Sequence, residues 1–294
     1  MRDNIRGSIY MLLAMACFSI EDALIKAAAK SVPLAEIIFL FGFFGCLIFL
    51  VLLLSRGEKV IHPALFSRAM FIRSICEIIG RLFFSIALVL IPLSSLSAIL
   101  QATPLVVVSG AAIFFGEKVG WRRWTAITVG FIGVLMIIRP GLEGFQLASL
   151  FAVLGTLGFA GRDLATRASP NVLSNIQLGV YGFFVLMPAG LCIMVFDGSY
   201  SQLTIPSPFV SFQILATAVF GVTAYYALTV AMRVGEVSVV TPFRYTRLLF
   251  ALIIGITIFD ERPDLFTLVG SVIIISSGLF TLLRTKQKPK TMKQ

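Results

Sequence analysis

The chain has 294 residues, of which 58% are hydrophobic and 13% are charged, and its mean hydropathy is +0.99. Soluble domains carry about 25% charged residues, so this composition excludes an ordinary water-soluble protein and indicates one with many membrane spans. The 24 Lys and Arg residues outnumber the 14 Asp and Glu residues, but most lie in predicted loops and tails, where membrane topology explains them without a nucleic-acid partner. Four cysteines without paired spacing and a single loop histidine, His62, predict neither a metal site nor any other cofactor.

Ten apolar stretches separated by short polar links predict ten membrane-spanning helices. They cover residues 7–27, 34–54, 69–91, 93–115, 121–138, 147–167, 173–195, 209–232, 237–259 and 265–283. The first stretch follows Arg2 and Arg6 as a signal peptide would, but it is too long and carries charges near its end, so it is predicted to stay in the mature protein.

The distribution of Lys and Arg among the links predicts the orientation. With the N-terminus inside, fifteen basic residues face the cytoplasm and four face outward (Lys26, Lys30, Arg139 and Arg262). Both termini are therefore predicted to be cytoplasmic, in a multi-pass protein of the bacterial inner membrane. The basic tail 285–294 is expected near anionic lipid headgroups.

Three charges on the third span, Arg73, Glu77 and Arg81, are spaced by four and share one helix face. Glu77 precedes Arg81 in the orientation that favours a helical ion pair. Charges at this depth face a bundle interior or an aqueous cavity. Two interpretations stay open: a self-neutralising structural network, or contact between Arg81 and a substrate.

The ninth span carries Arg244 and Arg247 near its centre, just after Pro242. A cation there costs about 2.5–3.5 kcal/mol even on permissive insertion scales. We expect Glu77 to be the one carboxylate central enough to balance Arg81, Arg244 and Arg247. The sequence therefore predicts an excess of positive charge inside the helix bundle. We therefore expect a cavity for an anionic or zwitterionic organic molecule, whose carboxylate or phosphate pairs with guanidinium groups. The alternative is that Arg247 bonds main-chain carbonyls exposed by a proline.

Neutral hydrogen-bonding groups lie at a similar depth. Gln101 is in the fourth span, Tyr225 and Tyr226 are in the eighth, and Tyr245 lies beside Arg244. One of Tyr225 and Tyr226 is expected to line the cavity.

The two halves of the chain resemble each other. Residues 18–27 (FSIEDALIKA) align with residues 159–168 (FAGRDLATRA), and the ending Phe115-Gly116-Glu117 of the fourth span matches Phe259-Asp260-Glu261 of the ninth. Because each half contains five spans, the second copy enters the membrane from the opposite side. The sequence thus predicts an all-α membrane protein of two inverted five-helix repeats, residues 1–143 and 144–284, followed by the tail 285–294.

Charged clusters at equivalent places in the two copies are candidates for gates or coupling sites. Glu21-Asp22-Lys26 is predicted toward the outer face and Arg162-Asp163-Arg167 toward the inner face. Each cluster is interpreted either as a gate or as simple pairing at a helix end. Glu117 and Glu261 are expected to cap or pair near helix ends, or else to carry a coupling proton.

These features resemble the EamA-type branch of the drug/metabolite transporter superfamily. The motifs that carry the resemblance run from Thr103-Pro104-Leu105 to Phe115-Gly116-Glu117 and include Phe259-Asp260-Glu261-Arg262. The resemblance implies a central cavity lined mainly by the third, fourth, eighth and ninth helices, with the first and sixth closing its ends. Aligning Glu117 with Glu261 places Arg247 opposite Thr103, and Leu248 where the family usually has a second proline, so the substrates of relatives cannot be carried over.

The sequence therefore predicts a secondary carrier that moves a small polar organic metabolite, such as an amino acid derivative, by alternating access. No GxxxxGK[ST] nucleotide motif and no catalytic set are present in the sequence, so neither ATP hydrolysis nor an enzyme is expected. The alternatives are an exporter of more lipophilic or cationic compounds, a membrane-embedded enzyme, and a channel or structural subunit. Expected partners are the substrate, membrane lipids and a coupling proton or counter-substrate, but no nucleic acid, in a monomer or homodimer.

Overall fold

The computed structural model describes residues 2–116, 120–139, 146–168, 172–197, 206–234 and 241–283, and all regular structure in these ranges is helical. The α-helices are α1 (Arg2–Ala28), α2 (Leu34–Ser55), α3 (Arg68–Leu90), α4 (Leu93–Leu100), α5 (Thr103–Phe115), α6 (Trp121–Ile138), α7 (Ala148–Arg167), α8 (Asn175–Phe184), α9 (Leu186–Asp197), α10 (Pro208–Val234), α11 (Thr246–Ile258) and α12 (Leu265–Leu283). Two 3-10 helices cover Pro63–Phe66 and Thr241–Tyr245. Glu117, the boundary at 143/144 and the tail 285–294 lie outside the described residues.

Within the described ranges, five stretches are long and apolar enough to cross a membrane: 3–28, 34–55, 93–114, 175–195 and 208–232. Two shorter apolar helices cover Trp124–Ile138 and Leu265–Phe280. Large apolar side chains such as Val51, Phe212 and Ile253 are more than half exposed, which suits contact with lipid and not with water. The all-helical prediction is confirmed for the described residues, and the inverted relation of the two halves stays a prediction.

Three of the predicted spans are interrupted helices, and prolines explain two of the breaks. A proline in a helix removes one hydrogen bond and clashes with the carbonyl four residues earlier. Four residues before Pro104 is Leu100, where α4 ends, and four residues before Pro188 is Phe184, where α8 ends. The third break separates the 3-10 helix Thr241–Tyr245 from α11.

A left-handed residue follows the last turn of both α5 and α11. Gly116 has φ 65° and Asp260 has φ 53°. Glycine adopts this conformation freely, and Asp is among the few other residues that tolerate it. Gly116 and Asp260, which follow the matched Phe115 and Phe259, thus share a left-handed backbone conformation.

The largest helix–helix interfaces join the two halves of the chain. α1 packs along α10, α3 along α7, α6 along α12, and α2 against α8 and α9. Glycines bring α3 and α7 very close, since a Cβ added at Gly158 would lie 2.4 Å from the main-chain nitrogen of Gly80. This close packing brings the polar faces of α3 and α7 together at the centre of the bundle.

Candidate functional site

A cavity of about 70 Å³ lies in the middle of the helices. A single water molecule occupies about 10–15 Å³ by the same measure, so the space is small. Its charged and polar lining side chains are Glu21, Glu77, Arg81, Arg162, Arg244, Arg247, Gln101, Thr103 and Tyr225, and its aromatic ones include Phe18, Phe84, Phe159 and Phe183.

Helix α1 contributes two carboxylates to the arginines at this cavity. Arg81 Nη1 donates to Glu21 Oε1 over 2.9 Å, and Arg247 Nη2 donates to Asp22 Oδ2 over 2.6 Å. Both carboxylate side chains are only 1% exposed. A buried carboxylate is tolerated only when it is paired, so each arginine compensates one buried negative charge. We call these four residues the Asp22 cluster.

A second set of ion pairs involves α7. Arg162 Nη2 lies 2.8 Å from Asp163 Oδ1, and Arg244 Nη2 lies 3.4 Å from Asp163 Oδ2. Arg162 Nη1 also donates to Glu77 Oε1 over 3.1 Å. We call Arg162, Asp163, Arg244 and Glu77 the Asp163 cluster.

Arg73 extends the Asp163 cluster along α3. Its Nη2 lies 3.7 Å from Glu77 Oε2, and its Nε donates to Thr166 Oγ1 over 3.1 Å. Nη2 also donates to the hydroxyl of Tyr225, which in turn donates to the carbonyl of Leu178 over 3.3 Å. This network fixes the Tyr225 side chain against the cavity.

Counting both clusters and Arg73, five arginines face four carboxylates, which leaves one positive charge. Among the lining residues alone, four arginines face two carboxylates. The expectation that Glu77 is the one balancing carboxylate is therefore wrong. Glu21 and Asp22 precede the end of α1 by about 10 Å of helix, and both are buried inside the bundle.

The expected ion pair between Glu77 and Arg81 is also wrong. The close approach of α7 brings Arg162 to Glu77, whereas Arg81 turns to Glu21 on α1. The alternative for Arg247 is a bond to main-chain carbonyls that a proline exposes. Its Nη2 instead donates to the carboxylate of Asp22. Glu77 and Arg81 thus each bond to a residue of another helix, while Arg73–Glu77 and Arg162–Asp163 are ion pairs within one helix.

The tyrosines and Gln101 occupy different positions. Tyr225 and Gln101 line the cavity, whereas Tyr226 packs against a cluster of apolar side chains centred on Phe41. Tyr245 is 4% exposed and packs against Gly278, outside the cavity lining. The expectation that Tyr226 or Tyr245 takes part in the cavity is not supported by these positions.

Aromatic support for the arginines was missed from the sequence. The Arg247 guanidinium lies 4.9 Å from the ring centre of Phe18, and that of Arg162 lies 5.0 Å from the ring centre of Phe159. Stacking of this kind stabilises a cation away from water. The signal was available, because Phe18 and Phe159 are matched positions of the two copies.

Glu261 closes one end of the bundle. It accepts hydrogen bonds from Leu93 N at 2.5 Å, Ser94 N at 3.0 Å and Ser94 Oγ at 2.8 Å, which caps the start of α4. Lys26 Nζ lies 3.4 Å from Glu261 Oε1 and donates to the carbonyl of Ile91 over 2.6 Å. We call these residues the Lys26 latch. They join the end of α1, the start of α4 and the segment after α11.

The Asp163 cluster is less deeply buried than the Asp22 cluster. The Asp163 and Arg244 side chains are 23% and 19% exposed, against 1% for Asp22. Arg244 precedes α11 and Glu261 follows it, and this helix of 13 residues is about 20 Å long. The Asp163 carboxylate is thus more exposed than the Asp22 carboxylate, and the Lys26 latch lies at the other end of α11.

Comparisons with known proteins agree with this architecture. The model of the EamA-like transporter family matches residues 5–139 and 146–283. A solved crystal structure of another protein aligns with a TM-score of 0.63 at 17% identity, over 96% of this chain and 99% of that one, which supports the fold alone.

Several curated relatives match nearly the whole chain. An S-adenosylmethionine uptake transporter of Rickettsia felis is 26% identical over 98% of this chain and 96% of its own. A riboflavin transporter of Rhizobium johnstonii is 25% identical, over 96% and 94%. The pseudopaline exporter CntI of Pseudomonas aeruginosa is also 25% identical, over 96% and 97%.

These matches extend over both halves of the chain and name transporters in every case. The protein is accordingly a bacterial membrane protein that transports a small molecule, and it is not an enzyme. The chain belongs to the EamA-like transporter family.

Proposed function

We propose that this protein is a secondary carrier for a small polar organic metabolite with a carboxylate or phosphate group, anionic or zwitterionic, such as an amino acid derivative. The observation that carries the proposal is the central cavity, where four lining arginines face two lining carboxylates. An anionic group offers planar arginines paired hydrogen bonds. A lipophilic cation would find the opposite charge balance.

Arg247 is the first candidate for the substrate's anionic group. It lies in the first turn of α11, directly after the break in the ninth span. The start of a helix carries a partial positive charge, and interrupted helices in carriers place such ends at the substrate. α5 begins at the cavity in the same way, with Thr103. Two helix ends and the Arg247 guanidinium therefore favour an anion at one place.

The relatives agree with a polar, partly charged cargo. S-adenosylmethionine carries an amino acid group, with a carboxylate and an ammonium, and one relative is named as its uptake transporter. The cavity offers arginines to the carboxylate of such a group and carboxylates to its ammonium. Because the relatives also include a riboflavin transporter, the charge balance of this cavity and not the family supports our choice of substrate class.

Alternating access in an inverted repeat is the proposed mechanism. The packing partners support it: the first span of one copy contacts the third span of the other, and equivalent second, fourth and fifth spans contact each other. Two copies related by a two-fold axis in the membrane plane would make these reciprocal contacts. In this proposal the substrate site opens alternately toward each side.

The proposed gates are the two ends of the network. The basic residues favour a cytoplasmic N-terminus. In that orientation the Lys26 latch closes the site on the side away from the cytoplasm, and the Asp163 cluster borders the cytoplasmic side. Glu21, Asp22, Arg162, Asp163 and Glu261 then exchange partners as the halves rock. A coupling proton or a counter-substrate would enter by the same route.

Solute counterflow in proteoliposomes tests the proposal, after metabolites that raise the melting temperature of the purified protein have been identified. We expect carboxylate- or phosphate-bearing compounds to stabilise the wild type, and saturable counterflow that Arg247→Gln abolishes while the protein still elutes as a folded species. Arg122→Gln, an exposed arginine outside the cavity, is the matched control and should transport normally. Full counterflow in Arg247→Gln, or stabilisation by lipophilic cations alone, would contradict the proposal.

A further inference from the structure

One oxygen of Glu21 faces the cavity without a hydrogen-bond donor. Oε1 accepts from Arg81, but Oε2 accepts from no residue that the structure describes. The side chain is 1% exposed. A Cβ added at Gly221, which also lines the cavity, would lie 3.2 Å from Oε2. The oxygen thus lies beside Gly221 of α10, where the ring of Phe41 also packs and no hydrogen-bond donor among the described residues reaches it.

A buried carboxylate oxygen without a donor is unfavourable. Leaving a buried polar group unpaired costs about 1–3 kcal/mol, and more for a charged group. Arg81 does not remove this cost, because its one hydrogen bond to Glu21, from Nη1, goes to the other oxygen. The position therefore suits a donor supplied by a ligand.

Unpartnered donors lie around the same cavity. Gln101 Nε2, Arg81 Nε and Arg247 Nε are buried and find no acceptor among the described residues. Gln101 is 4% exposed and follows the last turn of α4. Two oxygens of lining carboxylates, Glu21 Oε2 and Glu77 Oε2, and several donor nitrogens thus lack hydrogen-bond partners among the described residues. Glu77 Oε2 has Arg73 Nη2 at 3.7 Å, which leaves Glu21 Oε2 as the candidate acceptor.

We propose that Glu21 Oε2 binds the ammonium group of a zwitterionic substrate whose carboxylate is held by Arg247 and Gln101. This inference rests on the proposed carrier function and narrows its substrate class to compounds of the amino acid type. It assigns Glu21 to substrate binding, whereas its sequence position alone made it a gate or coupling residue. A ligand with a carboxylate but no ammonium would leave Oε2 unpaired and bind more weakly.

Matched ligands lacking one charged group test the assignment. The probes are L-methionine and L-phenylalanine, their analogues without the amino group (4-(methylthio)butanoate and 3-phenylpropionate), and 3-(methylthio)propylamine, which lacks the carboxylate. Affinities are measured by titration of the purified full chain in detergent. In the wild type we expect removal of the amino group to weaken binding by about tenfold or more.

The affinity of each amino acid is divided by that of its analogue without the amino group, and this ratio is also measured in Glu21→Gln. The change in the ratio tests whether the ammonium binds at Glu21. Gln keeps the size of the side chain but removes its charge, so the advantage of the amino acid over its deaminated analogue should largely disappear. Because Glu21→Gln leaves Arg81 unpaired and can fail to fold, the double variant Glu21→Gln/Arg81→Gln, which removes both charges of the pair, is measured beside it. Loss of the amino-group advantage in either folded variant supports the inference.

Three results would overturn it: equal affinity of amino acids and deaminated analogues in the wild type, an unchanged ratio in the folded variants, or no binding of any zwitterionic probe. The outcome is separable from the fate of the carrier proposal. If Arg247→Gln abolishes counterflow while Glu21→Gln leaves the ratio unchanged, the carrier proposal stands and the ammonium site fails. If Arg247→Gln transports normally, the carrier proposal itself fails.

Discussion

Asp22 and Asp163 occupy matched positions in the two copies of the repeat, yet their surroundings differ. Asp22 is preceded by Glu21 and Asp163 by Arg162, so the charge next to the aspartate is reversed. Asp22 is 1% exposed and pairs with Arg247, whereas Asp163 is 23% exposed and pairs with both Arg162 and Arg244. Similar local sequences thus hold one aspartate that is almost fully buried and one that is partly exposed.

The two aligned segments thus both contain the aspartate but differ in the sign of the charge that precedes it. In both copies an arginine stacks on the matched phenylalanine, Arg247 on Phe18 and Arg162 on Phe159. In the first copy that arginine arrives from α11, and in the second it comes from α7 itself. If the halves rock as proposed, the more buried state passes from the Asp22 cluster to the Asp163 cluster.

The largest expected effect follows from breaking the Asp22 cluster. Arg247→Gln leaves the buried carboxylate of Asp22 without its charged partner, which costs about 3–5 kcal/mol in comparable buried pairs. Asp22→Asn/Arg247→Gln removes both charges and should recover most of the lost stability. Thermal unfolding in detergent measures this. A double variant as unstable as the single one would show that the pair does not explain the loss.

A smaller effect is expected at the more open cluster. Asp163→Asn should cost about 1.5 kcal/mol, the low end for hydrogen bonds to charged groups, because its partners are partly exposed and Arg162 keeps its bond to Glu77. Asp22→Asn is the matched substitution and should lower the melting temperature more. Equal losses at the two aspartates would remove the distinction between a buried and a partly exposed cluster.

Weakening the Lys26 latch should open the end of the bundle that Glu261 closes. Glu261→Gln replaces a carboxylate that accepts from Leu93, Ser94 and Lys26, and its amide can satisfy fewer of these donors. Ser97, which is 1% exposed and lies one turn deeper in α4, serves as the reporter.

The reporter is Ser97→Cys with the four native cysteines replaced by alanine. Its reaction with a membrane-impermeant maleimide should be several-fold faster when Glu261→Gln is added. Arg262→Gln, at an exposed position on the same loop, is the control and should leave the rate unchanged. An unaltered rate in Glu261→Gln would rule out the latch as the closure of this end.

The smallest expected effects concern adjacent tyrosines. Tyr225→Phe loses the hydroxyl that bonds Arg73 and Leu178 and should reduce stability by about 1 kcal/mol. Tyr226→Phe lies outside the cavity lining and should change stability by no more than about 0.5 kcal/mol. The two melting temperatures check the rotation of α10, and a reversed order would place the wrong face of this helix at the cavity.

Local features of the fold could be predicted from the sequence. Apolar length gives the helices, and the four-residue reach of Pro104 explains the end of α4. The expectation that Glu261 caps or pairs near a helix end agrees with its bonds to Leu93 and Ser94. Each of these depends on neighbours along the chain or on a helix terminus.

The pairing of charges could not be predicted, because it depends on which helices touch. Arg81 had an acceptable partner four residues away in Glu77, but packing in three dimensions gave it Glu21 instead. Likewise, Tyr225 and Tyr226 differ by one residue, which is about 100° of helix rotation, and periodicity alone does not say which faces inward when the whole helix is apolar.

The most direct test of the central claim is counterflow by Asp22→Asn/Arg247→Gln in proteoliposomes, with the carboxylate-bearing compound that most stabilises the wild type. This variant restores charge balance around Asp22 while removing the proposed substrate-binding guanidinium, so stability and transport are separated. The account predicts a folded protein near wild-type stability with no saturable counterflow. Counterflow at the wild-type rate would mean that Arg247 serves only to neutralise Asp22.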